Sequence, residues 1–182
     1  MIRYLLDTNI CIYINKRKPP EVYKRLENIN LNEIGISSIT RYEMMFGVLK
    51  SQQQGLALQE LERLCSVFPP IALDTKAADH ASTIRFMLQK QGTPIGPNDV
   101  LIAGQALSLD AILVTNNARE FSRIQNLKLE NWVEEWELNN SFERDLRNKS
   151  FLISHYPQTW YDFALLEFLK TQRFVQKNSW SV

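Results

Sequence analysis

The sequence has little of the residue types that build disulfide frameworks, zinc sites or membrane spans. Only two cysteines, Cys11 and Cys65, and two histidines occur among its 182 residues. The cysteines lie far apart in apolar stretches, so we expect two buried thiols in a reducing cytosol and no metal knuckle. No run approaches the roughly 18 apolar residues of a membrane span, and Asp7 and Asn9 interrupt the N-terminal apolar stretch as no signal peptide would. The sequence therefore predicts a soluble, cytoplasmic protein.

The charge of the chain is nearly balanced, with 21 Lys and Arg against 20 Asp and Glu and a formal net charge of +1. This balance excludes a strongly cationic coat and an acidic tail, so any contact with RNA or DNA has to come from a local basic patch. Hydrophobic residues make up 45% of the chain, which is enough for one good core and too little for two.

Short apolar stretches alternate with segments of helical periodicity along most of the chain. The apolar stretches predict strands at residues 2–6, 34–37, 71–73 and 112–115, with a short edge strand within 127–132. The intervening segments predict helices at 8–14, 21–28, 55–67, 75–90 and 100–109, and one that starts at Ser38 or Thr40. In that last helix an apolar stripe is formed by Ile39, Tyr42, Phe46 and Leu49. This alternation indicates an α/β fold with a parallel sheet and right-handed crossovers.

Acidic and amide residues stand where the predicted strands end or the helices begin. Asp7 follows the first strand, and Glu43 lies in or near the first turn of the helix after the second strand. Asp99 opens the helix before the fourth strand, and Asn117 and Glu120 follow that strand. In a parallel sheet the carboxyl ends of strands and the amino ends of crossover helices share one edge, where such folds bind ligands. The sequence therefore places these residues on the same edge.

Several carboxylates in one cleft repel one another, because two like charges about 4 Å apart cost on the order of 4 kcal/mol at an effective dielectric near 20. A proton, a basic partner or a divalent cation can relieve this repulsion. Oxygen ligands suit Mg²⁺ or Mn²⁺, with water completing the octahedron. Neither His80, within a helix, nor His155, near the C-terminus, is close enough in sequence to these motifs to favour zinc. Such a cation with bound water is suited to phosphodiester hydrolysis.

Each acid also has a purely structural explanation when taken alone. Asp7 precedes a short helix and can be only its N-cap, and the pair Asn98-Asp99 has the same alternative. Glu43 stands at capping-box spacing from Thr40. Glu120, in the loop after the fourth strand, is solvated unless its side chain turns inward. The case for a metal site rests on the joint placement of the four positions.

Four segments of the chain follow one another in a familiar order and spacing. They are Leu5-Leu6-Asp7-Thr8-Asn9-Ile10, Ile36-Ser37-Ser38-Ile39-Thr40 with Glu43 and Gly47, Gly96-Pro97-Asn98-Asp99-Val100-Leu101-Ile102-Ala103, and Val114-Thr115-Asn116-Asn117-Ala118-Arg119-Glu120-Phe121. In this arrangement the chain resembles the PIN-domain nucleases, and specifically the VapC toxins of type II toxin–antitoxin modules. The resemblance covers residues 1 to about 133.

The resemblance implies a PIN-like three-layer α/β/α fold with a central, mainly parallel sheet. It also implies a Mg²⁺-dependent endoribonuclease, with Mn²⁺ able to substitute, that hydrolyses tRNA or another structured RNA through metal-activated water. A cognate VapB-like antitoxin would silence the enzyme, and members of the family are commonly homodimers.

Carried over by position, Asp7 and Asp99 match the principal metal ligands of the family and Glu43 matches its third acid. The fourth acidic position is open here, because Asn116 and Asn117 stand where many members have Asp, while Glu120 offers a carboxylate one turn later. A missing Asp would weaken a second metal site and leave the first two ligands unaffected. Thr115 matches a polar position near the metal.

Basic residues flank these motifs and are candidates for phosphate contacts with RNA. A solvated surface is the alternative for each of them. The candidates are Lys16, Arg17 and Lys18 after the first helix, Arg41 beside Glu43, and Arg119 and Arg123 around Glu120.

The composition of the chain changes after residue 133, where strand and helix alternation stops and aromatic residues become frequent. We therefore divide the chain into a nuclease domain, residues 1–133, and an aromatic-rich, mainly helical C-terminal extension, residues 134–182. The extension packs on the domain or on a dimer in the simpler interpretation. In a sharper hypothesis, its segment from Trp160 to Phe174 occupies the groove that an antitoxin would use.

Two rival functions compete with the nuclease. Phosphatases of the haloacid-dehalogenase type also begin with Asp after the first strand, but they need a second Asp two residues later, where this chain has Asn9. A catalytically weak PIN fold kept as an RNA- or protein-binding module is the second rival. The response of thermal stability to Mn²⁺ separates this module from the enzyme.

Overall fold

The computed structural model describes residues 1–133, so the predictions made for residues 134–182, including the Trp160–Phe174 hypothesis, lie outside the described residues. Five parallel strands form one sheet in the order β3-β2-β1-β4-β5. The strands are β1 (Tyr4–Leu6), β2 (Ile34–Ser37), β3 (Pro70–Ile71), β4 (Ile112–Val114) and β5 (Lys128–Glu130). The predicted parallel sheet is confirmed, and the last strand lies at an edge of the sheet as expected.

Within residues 1–133, seven α-helices connect the strands, and a short 3-10 turn (Leu31–Glu33) leads into β2. The helices are α1 (Thr8–Lys16), α2 (Pro20–Glu27), α3 (Ser38–Lys50), α4 (Gln54–Val67), α5 (Thr75–Lys90), α6 (Pro97–Ser108) and α7 (Ala118–Phe121). All the predicted helices are present, with ends that differ from the predicted ends by a few residues. None of these helices, within residues 1–133, is long and apolar enough to cross a membrane.

Both faces of the sheet are covered by helices. Leu5 and Leu113, fully buried neighbours on the two central strands, belong to a core cluster with residues of α5, α6 and α7. Leu6 and Val114 point to the opposite face because side chains alternate along a strand, and they are equally buried. The described residues therefore form the three-layer α/β/α arrangement expected of a PIN-like fold.

Helices α5 and α6 approach each other closely at Gly104. A Cβ built at this position would lie 2.6 Å from the carbonyl oxygen of Ala77 and 2.6 Å from the amide nitrogen of Ala81. Since both atoms are backbone, no side-chain rotation could relieve the overlap. The glycine therefore permits the close spacing of α5 and α6.

Most of the apolar stripe of α3 is exposed. Tyr42, Phe46 and Leu49 are 61%, 53% and 63% exposed, whereas Thr40 and Val48 are the buried residues of this helix. Leu56 at the start of α4 is also exposed, at 59%. Helical periodicity identifies an apolar face but not the surface that it contacts. Residues 1–133 thus leave exposed four apolar side chains of α3 and the start of α4, Tyr42, Phe46, Leu49 and Leu56, which we call the α3–α4 surface.

The two cysteines agree with the sequence interpretation. Cys11 and Cys65 are both buried and neither forms a disulfide. Burial raises the pKa of the Cys11 thiol well above its ordinary value, so this thiol is an unreactive part of the core.

Candidate active site

Asp7 is held firmly at the point where β1 becomes α1. It is the N-cap of α1 and only 5% exposed, and its Oδ1 accepts a hydrogen bond of 2.7 Å from the amide of Thr8. Its Oδ2 accepts a hydrogen bond of 2.7 Å from the hydroxyl of Thr115, at the end of the neighbouring strand β4. Burial raises the pKa of Asp7, and the two hydrogen bonds partly offset this effect. Capping uses one lone pair of Oδ1 and leaves oxygen acceptors free.

Glu43 is not a capping residue. Ser37 is the N-cap of α3, its hydroxyl accepting from the amide of Ile39, so Glu43 lies in the second turn and the capping-box interpretation is wrong. Its carboxylate instead faces α1 and α6: Oε2 accepts from the hydroxyl of Thr8, and Oε1 accepts from the side-chain amide of Asn98 at 2.8 Å. Glu43 is therefore tied to the residue next to Asp7 on one side and to the residue next to Asp99 on the other.

Asp99 lies in the first turn of α6, but it is not the N-cap. Gly96 occupies the N-cap position and Pro97 begins the helix, so the N-cap interpretation of Asn98 and Asp99 is wrong. The Asp99 side chain folds back over Gly96, where an added Cβ would lie 2.8 Å from Asp99 Oδ2. The absence of a side chain at residue 96 thus makes room for this carboxylate.

The electrostatics of Asp99 show how close the four acids are. The pKa of Asp99 is raised from its ordinary value of 3.8 to about 6, chiefly by burial and then by the negative charges of Asp7, Glu43 and Glu120, in that order. Three ion pairs within residues 1–133 use other acids: Arg25 with Glu130, Arg41 with Glu62 and Lys128 with Asp110. None of these three neutralises the cluster.

The loop after β4 contributes both a hydroxyl and an acid. Thr115 is fully buried and bonded to Asp7, while Asn117 is the N-cap of α7 and its amide donates to the Thr115 hydroxyl at 3.0 Å. Glu120 lies in the first turn of α7 and acts on Asp99 through its charge. The predicted meeting of Asp7, Glu43, Asp99 and this loop on one edge of the sheet is therefore what the structure has.

The oxygen donors of the site suit a small, hard cation, although the acidic side chains are too far apart to coordinate one together. Within residues 1–133, no three His, Cys, Asp or Glu side chains are close enough together to hold a metal ion as they stand. The acids nevertheless share a half-buried edge and offer only oxygen atoms. This chemistry fits Mg²⁺ or Mn²⁺, which take one to three carboxylates and fill the remaining positions with water.

The predicted RNA-contacting residues lie in different places relative to the acids. Lys16 ends α1 and Arg17 and Lys18 follow it, about 13 Å from Asp7 along the helix axis at 1.5 Å per residue. The Arg41 guanidinium bonds to Glu62 at 2.7 Å and to the sulfur of Cys65 at 3.0 Å, which ties α3 to α4. Arg119 is exposed on α7, beside Glu120.

Sequence reasoning missed Thr8, Asn98 and Gly96 as parts of the site. Thr8 and Asn98 position Glu43 across 35 and 55 residues of sequence, respectively. A signal was present, because each is a polar residue next to a predicted acidic ligand within a mainly apolar segment. Their partner could not be named before the tertiary structure was known.

The chain matches a known protein family over most of residues 1–133. The PIN domain model matches residues 4–127. The tRNA(fMet)-specific endonuclease VapC of Shigella flexneri is 43% identical over 132 residues, which cover 72% of this chain and 99% of that protein. The chain belongs to the VapC family of PIN-domain ribonucleases. Ribonuclease VapC2 of Haemophilus influenzae is similar as well, with 42% identity over 133 residues that cover 73% of this chain and 100% of that protein.

Solved structures of VapC proteins share the fold of this VapC-family chain. The DNA-bound VapBC complex of Salmonella typhimurium contains a chain with a TM-score of 0.69 and 42% identity, covering 72% of this chain and 99% of that one. A chain of VapBC2 of Rickettsia felis, bound to a promoter DNA fragment, has a TM-score of 0.68 and 41% identity at 72% and 99% coverage. The expected family, fold and enzyme class are confirmed, and the phosphatase rival is set aside.

Proposed function

We propose that this VapC-family chain is a Mg²⁺-dependent endoribonuclease toxin that cleaves tRNA or another structured RNA and is inhibited by a cognate VapB-type antitoxin. The observation that carries the proposal is the shared edge of Asp7, Glu43, Asp99 and Glu120, where burial and then the charges of the other three acids raise the pKa of Asp99 to about 6. A protein keeps such an electrostatically unfavourable cluster where a cation has to bind, since the repulsion becomes attraction once the cation is present. We also propose that it acts in the cytoplasm, where these substrates occur.

Asp7 and Asp99 would hold the metal, and Glu43 would complete the ligand set directly or through a water molecule. Mg²⁺ bound there would withdraw charge from a phosphate oxygen and lower the pKa of water. Asp7 is fixed for this task by Thr8 and Thr115, and Glu43 by Thr8 and Asn98. A carboxylate on this edge accepts the proton that the attacking water loses. Mn²⁺ should substitute for Mg²⁺ because it prefers the same oxygen ligands.

The fourth position of the site belongs to Glu120 in this proposal. Glu120 acts on Asp99 through its charge, whereas the Asn117 backbone is bound to Thr115 and an amide side chain carries no charge. Asn117 can still accept a hydrogen bond from a water molecule or from RNA through its amide oxygen. We therefore expect one metal site that has its carboxylates and a second site that binds metal more weakly.

The RNA substrate is proposed to be tRNA, since the Shigella flexneri relative is named a tRNA(fMet)-specific endonuclease. Arg119, exposed beside Glu120, is the best-placed residue to contact a phosphate next to the cleaved bond. Lys16, Arg17 and Lys18 would contact phosphates about two nucleotides away, given their distance along α1. Arg41 remains a weaker candidate because its guanidinium bonds to Glu62 and Cys65.

The antitoxin is proposed to cover the α3–α4 surface of Tyr42, Phe46, Leu49 and Leu56. Related chains occur in solved VapBC complexes. An apolar surface of this kind is typical of protein–protein contacts, and it lies on the same helix as Glu43. A segment bound there would reach the acids within one or two helical turns. The proposed homodimer would use a separate surface.

The test is cleavage of total cellular RNA by the full chain with Mg²⁺, followed by mapping of the RNA ends. The wild-type protein should give discrete new ends in tRNA, and the Asp7→Asn variant should give none above background. Equal cleavage by both proteins would refute the mechanism. If neither protein cleaves RNA and Mn²⁺ leaves the thermal stability unchanged, the binding-module alternative is favoured.

A further inference from the structure

A small hydrogen-bonded network lies beside the acids and contains none of them except Asp7. Asn9 and Tyr13 stand four residues apart on α1, so they share one face of the helix. Asn9 Oδ1 accepts from the backbone amide of Asn116 at 3.2 Å, and Tyr13 Oη accepts from the side-chain amide of Asn116 at 2.8 Å. The two α1 residues thus hold both the backbone and the side chain of the same residue in the loop after β4.

The network continues to the metal-ligand position through Thr115. The Thr115 hydroxyl has one proton and two lone pairs. It accepts from the Asn117 amide at 3.0 Å and from Asn9 Nδ2 at 3.4 Å, and it donates to Asp7 Oδ2 at 2.7 Å. Because donors occupy its acceptor positions, the hydroxyl proton is directed at Asp7. Asn9 therefore acts on Asp7 from a distance, by orienting the residue that binds it.

The side chain of residue 116 is part of the network in this chain. Its amide donates to Tyr13, whose phenolic oxygen can accept this hydrogen bond. The Asn116 side chain is exposed and directed along α1 to Tyr13, so its amide is used to fix the loop. The same loop carries Asn117 and Glu120, whose positions depend on how residues 115–117 are held.

We infer that Tyr13, Asn9 and Asn116 form a latch that positions the 115–120 loop, and through Thr115 the Asp7 carboxylate, for the metal-dependent reaction. These are positioning residues: they contact Thr115 and the loop backbone. The catalytic side of this inference rests on the proposed function, whereas the latch itself is a property of the metal-free protein. Breaking it should loosen the loop first and reduce turnover as a consequence.

The test uses Tyr13→Phe, which removes one hydroxyl and keeps the ring. The matched control is Tyr23→Phe, because the Tyr23 hydroxyl also bonds to α1, at the carbonyl of Ile14, away from the acids. Solvent-exchange rates of the Asn116 and Asn117 amides are measured by NMR on the metal-free full chain. Loss of one such hydrogen bond should raise these rates about three- to ten-fold in Tyr13→Phe. The Tyr23→Phe rates should equal those of the wild type.

RNA cleavage and Mn²⁺ binding supply the second readout. Tyr13→Phe should lower kcat about three- to ten-fold with little change in KM, while Tyr23→Phe keeps the wild-type kcat. Unchanged exchange at both amides, or faster exchange with unchanged kcat, would overturn the inference. If Tyr13→Phe does not fold, Asn116→Ala takes its place in both measurements. Failure of the wild type to bind Mn²⁺ or cleave RNA would refute the proposed function, and the exchange rates would still decide whether the latch exists.

Discussion

Replacing Asp99 with Asn should make the metal-free protein more stable while it abolishes RNA cleavage. Most substitutions of a half-buried side chain destabilise a protein, so an increase would be unusual. The reason for expecting it is the raised pKa of Asp99, which reports that its charge is unfavourable in the folded chain. Burial is the largest cause, followed by the charges of Asp7, Glu43 and Glu120. Asn keeps the shape of the side chain and removes the charge.

The size of the effect follows from the pKa. A carboxyl whose pKa rises from 3.8 to about 6 would lose on the order of 3 kcal/mol of folding free energy at neutral pH if no solvent reached it. Asp99 is only half-buried, and screening by water reduces this loss to about 1 kcal/mol. For a chain of 182 residues that corresponds to about 2–4 °C in Tm.

The stability difference between the wild type and Asp99→Asn should depend on pH in a defined direction. Because the folded-state pKa of Asp99 lies above the unfolded one, the wild type is most stable relative to Asp99→Asn below pH 4. The wild type loses stability relative to this variant as the pH rises to about 6, and the difference between the two stays constant at higher pH. Thermal unfolding in EDTA at pH 4 and pH 8 measures this difference. Excess Mn²⁺ at pH 8 should then stabilise the wild type only. Asp79→Asn, on the exposed side of α5, is the neutral control. Equal or lower stability of Asp99→Asn at pH 8 in EDTA would refute the reasoning.

Three further substitutions test other contacts of the site. Gly96→Ala places a Cβ 2.8 Å from Asp99 Oδ2, so it should displace that carboxylate and weaken Mn²⁺ binding about ten-fold in calorimetry. The control is Gly47→Ala, whose added Cβ would have no atom within 4 Å and which should bind Mn²⁺ like the wild type. Thr115→Val removes the donor to Oδ2 of the buried Asp7 and should cost about 1–3 kcal/mol in urea unfolding; an unchanged midpoint would contradict this. Arg119→Glu should weaken RNA binding and reduce the slope of log K against log salt by about 1 in filter binding, whereas an unchanged slope would exclude a phosphate contact.

The sheet edge that carries the site could be predicted from sequence because two rules fix it. Asp7 ends a buried strand, and Asp99 lies in the first turn of a crossover helix, so parallel topology puts both at the carboxyl ends of the strands. The α/β order followed from strand and helix periodicity in the same way. No detailed side-chain information was needed for either conclusion.

The surroundings of Glu43 could not be predicted, because they depend on contacts between distant parts of the chain. The capping-box spacing to Thr40 suggested a local role, yet Ser37 caps α3 and the Thr40 hydroxyl donates to the carbonyl of Leu6 at 3.5 Å. Local spacing rules cannot tell which of two candidate residues begins a helix. What the apolar side of α3 contacts was left open for a related reason, since periodicity does not distinguish a core from a surface for a partner.

The most direct test of the central claim compares two aspartates that both cap helices. Asp7 caps α1 by accepting from the Thr8 amide, and Asp74 caps α5 by accepting from the Ala77 amide at 2.8 Å. Asn caps a helix about as well as Asp, so Asp7→Asn and Asp74→Asn should both keep their helices. Mn²⁺ binding is measured by the loss of the free-ion signal in electron paramagnetic resonance. The account predicts at least ten-fold weaker binding for Asp7→Asn and wild-type binding for Asp74→Asn. Wild-type binding by both variants would reduce Asp7 to a helix cap and contradict the metal site.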